Sequence, residues 1–159
     1  MDEFMEHTIQ DLYSAETQAL KAMPKLMQQA QNPQLRQAFE THQKETEQQV
    51  ERLEQIAEQM GIKTKGETCV AMQGLIEEAQ KTLKEIKDPQ LADAAIIAAA
   101  QKMEHYEIAC YGTAKTLAQQ AGQTQAADLL EQTLQEEKNT DQKLTQIAQS
   151  GVNQQAVES

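Results

Sequence analysis

The chain has 159 residues, with 25 Asp and Glu against 14 Lys and Arg, a net charge of -11 and 39% apolar residues. Such an acidic chain lacks the basic face that binding to nucleic acids or to an anionic membrane surface requires, so we expect neither as a partner. No stretch approaches the ~20 apolar residues that span a bilayer, and the acidic start MDEFMEHT is unlike a signal peptide. We therefore expect a cytoplasmic protein.

The composition favours an all-α fold, because the chain has only 3 Tyr, 2 Phe and no Trp and is rich in Ala and Gln. The first long segment, residues 2–31, has apolar residues at three- and four-residue spacing, which is typical of an amphipathic helix. The stripe consists of Ile9, Leu12, Glu16, Ala19, Leu20, Met23 and Met27. Pro24 lies within this segment and predicts a kink or a distorted turn near Leu20.

Three further long helices are predicted between the Pro and Gly breaks, over residues 33–60, 89–121 and 123–150. A shorter helix over residues 67–87 lies in the long connection between the second and third of these segments. This order predicts a four-helix bundle of ferritin-like connectivity, in which the crossover contains the additional short helix. We expect residues 1–150 to form this one domain and residues 151–159 to be a flexible tail.

A weak internal repeat relates the two halves of the chain. A shift of 91 residues aligns Leu12, Glu16 and Leu20 with Met103, Glu107 and Tyr111. The same shift aligns RLEQIA at 52–57 with KLTQIA at 143–148. One offset for both pairs of helices suggests two related hairpins.

Several ionisable residues fall on stripes that the helical period places in the core. Glu16 lies mid-stripe in the first segment, and Glu107, with Glu104 one turn earlier, lies mid-stripe in the third. In the second segment His42 is in line with the apolar residues and Glu45 is on the flank. The repeat aligns Glu45 with Glu136 of the fourth segment, whereas the helical wheel places the neighbouring Glu137 nearer the centre, and the sequence leaves both open.

Buried carboxylates repel one another unless a positive charge compensates them. Carboxylate and imidazole ligands suit iron and manganese, and four-helix bundles hold two metal ions between inward Glu and His residues. Each residue alone also has an ordinary explanation, such as a salt bridge or a core histidine. Together they predict a metal site composed of Glu16, His42, Glu45, Glu104, Glu107, Glu136 and Glu137.

Five runs of sequence resemble the ferritin-like YciE/YciF family of bacterial proteins, above all LYSAE at 12–16 and KMEHYEIACYGT at 102–113. The resemblance covers nearly the whole chain and implies a bundle related to rubrerythrins and manganese catalases, in a family associated with stress. It also implies that Glu16, Glu45, Glu107 and one of Glu136 and Glu137 occupy metal-ligand positions.

The chain departs from the metal motif of that superfamily. Where rubrerythrins and ferritins have Glu-x-x-His, the second segment has His42-x-x-Glu45 in the reverse order, and the fourth segment has no His. The resulting site would be rich in oxygen ligands. His105 points away from Glu107 and is expected at the surface, and Asp11, Glu47 and Asp141 are expected to be solvated or to support the ligands.

The sequence leaves three functional hypotheses. The first is a dinuclear iron protein, or a manganese one, that reacts with peroxide or oxygen in a peroxidase- or catalase-like manner, although activity as an enzyme is open. The second is a non-catalytic, stress-related bundle that acts through oligomerisation or protein interaction and keeps a vestigial metal site. The third is iron storage.

A homodimer is also expected, because DAAIIAAA at 93–100 is apolar around much of its circumference. Packing of the crossover helix against this run is the competing explanation. Cys69 and Cys110 lack CxxC spacing and are interpreted as reduced packing residues.

Overall fold

A computed structural model describes residues 2–158 of the chain, and these residues form an all-α bundle. The four long helices are α1 (Asp2–Gln29), α2 (Pro33–Met60), α4 (Pro89–Gln120) and α5 (Thr124–Ile147). The crossover from α2 to α4 contains α3 (Val70–Glu85). The predicted bundle with a helical crossover is thus confirmed.

Local signals in the sequence begin and end these helices. The Asn32 side chain caps α2 by accepting hydrogen bonds from the backbone N–H groups of Gln34 and Leu35, with Pro33 at the first helical position. α2 ends at Gly61, whose φ of 66° is in the left-handed region that favours glycine. α1 continues unbroken through Pro24, where the sequence predicts a distortion.

Each long helix contacts two neighbours, so that α1, α2, α5 and α4 surround one core. The α3 helix packs outside this ring against α4 and α1. Ile96, Ile97 and Ala100 of the apolar run are buried, in agreement with packing of the crossover helix over this part of α4. The homodimer stays a prediction.

The chain remains helical beyond α5. A wide π-helical turn, Ala148–Val152, leads into the short helix α6 (Asn153–Glu158), whereas the sequence predicts helix only as far as residue 150. Gly151 adopts a φ of 126° within the turn, and the adjacent Val152 is buried. The flexibility predicted for the tail stays a prediction. None of the helices among residues 2–158 combines the length and apolar character needed to cross a bilayer.

The apolar core is divided into two clusters. One contains Leu26, Leu35, Phe39 and Ile96, and the other contains Ile9, Leu53, Ile56 and Leu130. On α2, α4 and α5 buried polar residues lie between the residues of the two clusters, and on α1 the buried Glu16 lies close to the boundary, next to Ala15. A polar layer therefore crosses the middle of the bundle.

The turn between α1 and α2 is held to α4 by Asp93, which is almost fully buried. Its two carboxylate oxygens accept hydrogen bonds from the backbone N–H groups of Gln31 (2.7 Å) and Asn32 (2.9 Å). Since Asp93→Ala leaves both donors without this acceptor, we expect it to lower the free energy of unfolding by about 1–3 kcal/mol. Urea denaturation would measure the loss, with the exposed Glu40→Ala on α2 as the control. A loss no larger than that of the control would contradict this account of the turn.

Candidate metal centre

The polar layer contains a cluster of five buried ionisable side chains contributed by all four long helices. Glu16 comes from α1, His42 from α2, Glu104 and Glu107 from α4, and Glu137 from α5. Each of the five residues is at most 8% exposed. All five belong to the set that the sequence predicts.

A short contact in the cluster joins His42 and Glu104. Nε2 of His42 lies 2.6 Å from Oε1 of Glu104. On the opposite side of the cluster, the buried Tyr111 hydroxyl donates a hydrogen bond of 2.6 Å to Oε1 of Glu16. These two contacts hold one oxygen of Glu104 and one oxygen of Glu16. Among the described residues, no group outside the cluster is hydrogen-bonded to the second oxygen of either carboxylate.

Two groups of three residues could each hold one metal ion, and they share Glu137. His42, Glu104 and Glu137 form one group, and Glu16, Glu107 and Glu137 form the other. Within each group the ligand atoms lie within 4.8 Å of one another. Within residues 2–158 no group outside the cluster is hydrogen-bonded to either Glu137 oxygen. Its hydrogen-bonding neighbours are the carboxyl groups of Glu104 and Glu107, so Glu137 is available to bridge two ions.

Burial is the main cause of the unusual protonation of the cluster. It raises the pKa of Glu16 to about 8, and the neighbouring Glu137 charge acts in the same direction. Burial, together with repulsion from the other carboxylates, also raises the pKa values of Glu107 and Glu137 well above their ordinary range. Burial lowers the pKa of His42, but the charge and hydrogen bond of the adjacent Glu104, together with Glu45 and Glu137, outweigh burial and raise the pKa well above 6.5. Without metal, the protons on these carboxyl groups remove part of the negative charge of the cluster. Bound cations would compensate that negative charge instead.

These residues fit a pair of divalent ions in their chemistry. In the described part of the chain, five of their carboxylate oxygens are buried and have no hydrogen-bond partner outside the cluster itself: Glu16 Oε2, Glu104 Oε2, Glu107 Oε1, and Glu137 Oε1 and Oε2. Buried polar atoms are normally satisfied, and unpartnered ones indicate a functional role or a bound ion. A set of carboxylates with one imidazole suits manganese or iron better than a softer metal.

Glu45 is not brought into the cluster. Its Oε2 lies 3.9 Å from Nδ1 of His42, on the side of the ring opposite Glu104, and its side chain is 32% exposed. The Thr140 hydroxyl lies close to both side chains, 3.5 Å from His42 Nδ1 and 3.4 Å from Glu45 Oε2. Glu45 and Thr140 can therefore orient the imidazole through its second nitrogen, Nδ1.

Glu136 also lies outside the cluster, whereas the neighbouring Glu137 is on the core-facing side of α5. Both oxygens of Glu136 accept hydrogen bonds from Arg52, at 2.6 and 2.8 Å. The same Arg52 donates a hydrogen bond to Thr133, and Gln49 donates one to Glu136. The bidentate pair connects α2 to α5 beside the cluster.

The remaining predicted residues take structural positions. His105 is exposed and lies 3.2 Å from Asp141, and Glu47 is exposed. Asp11 accepts a hydrogen bond of 2.5 Å from Tyr106, whose hydroxyl also contacts the Cys69 sulfur. Both cysteines are free thiols, as expected.

The sequence analysis missed three buried polar residues on α2: Thr46, Gln49 and Arg52. The spacing of Thr46 and Gln49 indicates that they face the core, because positions 42, 46, 49, 53 and 56 follow the three- and four-residue period of one helix face. Two of these positions carry uncharged polar side chains, which are less conspicuous on a helical wheel than a carboxylate.

The raised pKa values predict how the stability of the metal-free protein depends on pH. Glu16 is protonated in the folded chain below pH ~8 but ionised in the unfolded chain above pH ~4.5, so the folded state is favoured at lower pH. Between pH 5.5 and 8 the free energy of unfolding should fall by roughly 3 kcal/mol from Glu16 alone. Urea denaturation in the presence of a chelator measures this fall, and Glu16→Gln should reduce it. A wild-type profile that is flat or rises over this range would contradict the assignment.

Comparison with known proteins places the chain in a family. The chain is 50% identical over 151 residues to the protein YciF of Escherichia coli K12, covering 94% of this chain and 91% of that protein. The crystal structure of the E. coli stress protein YciF superposes with a TM-score of 0.90 at 49% identity, over 95% and 96% of the two chains. YcfI of Rhodopseudomonas palustris, described as a proposed structural protein, superposes with a TM-score of 0.88 at 43% identity, over 91% and 93%.

A protein from Xanthomonas campestris pv. campestris, at 23% identity and a TM-score of 0.77 over 99% and 96% of the chains, shares the fold. The family model described as domain of unknown function DUF892 matches residues 1–157. These findings confirm the family resemblance seen in the sequence. The chain belongs to the DUF892 family of YciF-like helical bundles.

Proposed function

We propose that the protein binds two divalent metal ions, iron or alternatively manganese, in the polar layer and uses them to react with peroxide or oxygen. The observation that carries this proposal is the central position of Glu137. Its carboxylate belongs to both ligand groups, and neither of its oxygens has another partner among residues 2–158. A role limited to packing gives no reason to bury such a group between three other carboxylates.

The protein's own residues would hold the ions and control the protons around them. His42 and Glu104 would hold one ion, Glu16 and Glu107 the other, and Glu137 would bridge both. When bound, the pair of ions supplies two one-electron changes, which match the two electrons that break the O–O bond of one peroxide. Tyr111 would keep Glu16 oriented by its hydrogen bond, and the two apolar clusters would keep bulk water from the site.

Relatedness to a stress protein supports a role in stress for this chain as well. A second candidate function is that of a non-catalytic bundle with a vestigial metal site, which the description of the R. palustris relative favours. Metal content after anaerobic Fe(II) loading separates the two, because a bundle that acts only through interactions needs no stoichiometric metal.

The neighbouring residues Glu136 and Glu137 offer a matched test of the metal site. We expect the wild type to bind about two ions per chain and Glu137→Gln to lose at least one, since it removes the shared ligand. Glu136→Gln should keep the wild-type content, because Glu136 pairs with Arg52 instead. Elemental analysis of protein loaded with Fe(II) without oxygen gives the counts. Equal loss in both variants, or none in either, would show that Glu137 is not the shared ligand.

His42→Gln tests the single nitrogen ligand. The raised pKa of His42 means that a metal ion must displace its proton at neutral pH, so loading the wild type should release about one more proton than loading the variant. The variant should also bind one ion more weakly and lose peroxide-dependent turnover while its helical content is unchanged. A pH indicator in weakly buffered solution counts the protons. If His42→Gln kept the metal content and the proton release of the wild type, His42 would not be a ligand and the site would consist of carboxylates alone.

A further inference from the structure

A groove on the surface between α1 and α3 leads towards the metal centre. It has a volume of about 220 Å³ and is lined mainly by apolar side chains. Those side chains are Ala22 and Leu26 of α1, Ile76, Ala79 and Leu83 of α3, and Met103 of α4. This volume can hold a short chain of carbon atoms, and a molecule as small as hydrogen peroxide gains nothing from the apolar walls.

A second, smaller cavity of about 20 Å³ lies between the groove and the cluster. Its inner wall includes His42, Glu104 and Glu107. Leu26 and Met103 line both this cavity and the groove, so these two side chains form a wall that the two spaces share. The inner cavity has room for a group about as large as one water molecule.

The outer part of the groove is positively charged. Lys25 and Lys84 line it, and no Asp or Glu is among its lining residues in the described chain. In a protein with a net charge of -11, two lysines at one opening favour an anionic group at this place. The sequence of features from surface to centre is therefore a cationic rim, an apolar groove and a small cavity beside the ligands.

We propose that this groove binds the alkyl chain of an organic hydroperoxide, with the peroxide group in the inner cavity and a carboxylate at Lys25 and Lys84. This inference rests on the proposed function and names the substrate class. Reduction breaks the O–O bond and yields an alcohol and water, with uptake of two protons and two electrons, one electron from each of two divalent ions. Each methylene group buried in the groove should tighten binding about fourfold.

The groove can be tested in the metal-free protein with octanoate as the probe. An octanoate titration monitored by NMR of the Ile and Met methyl groups should show saturable chemical-shift changes at Ile76 and Met103, whereas acetate should cause none. Ile76→Glu, which places a negative charge in a half-buried wall, should weaken octanoate binding at least tenfold. The exposed pair Lys25→Glu and Lys84→Glu should weaken octanoate several-fold but leave octanol unchanged, and it is the fallback if Ile76→Glu does not fold. Absence of saturable octanoate binding would overturn the groove as a ligand site.

A single-turnover experiment with the Fe(II)-loaded protein links the groove to the reaction. The rate of iron oxidation by 8-hydroperoxyoctanoate should fall at least tenfold in Ile76→Glu, while the rate with hydrogen peroxide stays at the wild-type value. If metal binds and both peroxides react equally in wild type and variant, the groove inference is overturned and the proposed function stands. If no metal binds, the proposed function fails and the hydroperoxide role fails with it, even where octanoate binds.

Discussion

The burial of four carboxylates and one imidazole in the middle of the bundle is the constraint on which the rest of the structure depends. An ionised carboxylate in an apolar core is strongly unfavourable unless a proton, a partner or a cation compensates it. Without metal, protons and the His42–Glu104 contact supply the compensation. The fold thus maintains an arrangement whose charges are better balanced by cations than by its own side chains.

The apolar clusters on either side of the polar layer make this burial tolerable. Each long helix contributes residues to both clusters, so the four backbones are positioned above and below the layer by close packing. The Arg52–Glu136 pair adds a polar connection between α2 and α5 at the level of the cluster. Removal of one ligand would therefore change charge balance more than it changes the path of the helices.

The two hairpins contribute unequally to the centre. Glu16 and Glu107, which the 91-residue shift aligns, both belong to the group of three carboxylates. The same shift aligns Glu137 with the buried Thr46 and aligns Glu136 with Glu45, and neither of the last two joins the cluster. The resulting asymmetry places the imidazole of the cluster in one of the two candidate groups and leaves the other with carboxylates alone.

The sequence by itself determined the helices, the breaks between them and the burial of Glu16, His42, Glu104 and Glu107. Pro and Gly mark the breaks, and the helical period places these four side chains on apolar stripes. Only the tertiary structure decided that Glu137 rather than Glu136 lies in the cluster, and that Glu45 stays outside it although it contacts His42. A residue on the flank of a stripe can turn inward or outward, and the partner across the interface settles which. Arg52 holds Glu136 aside, and the position of α4 directs the Nε2 of His42 to Glu104 and leaves Glu45 at its other nitrogen.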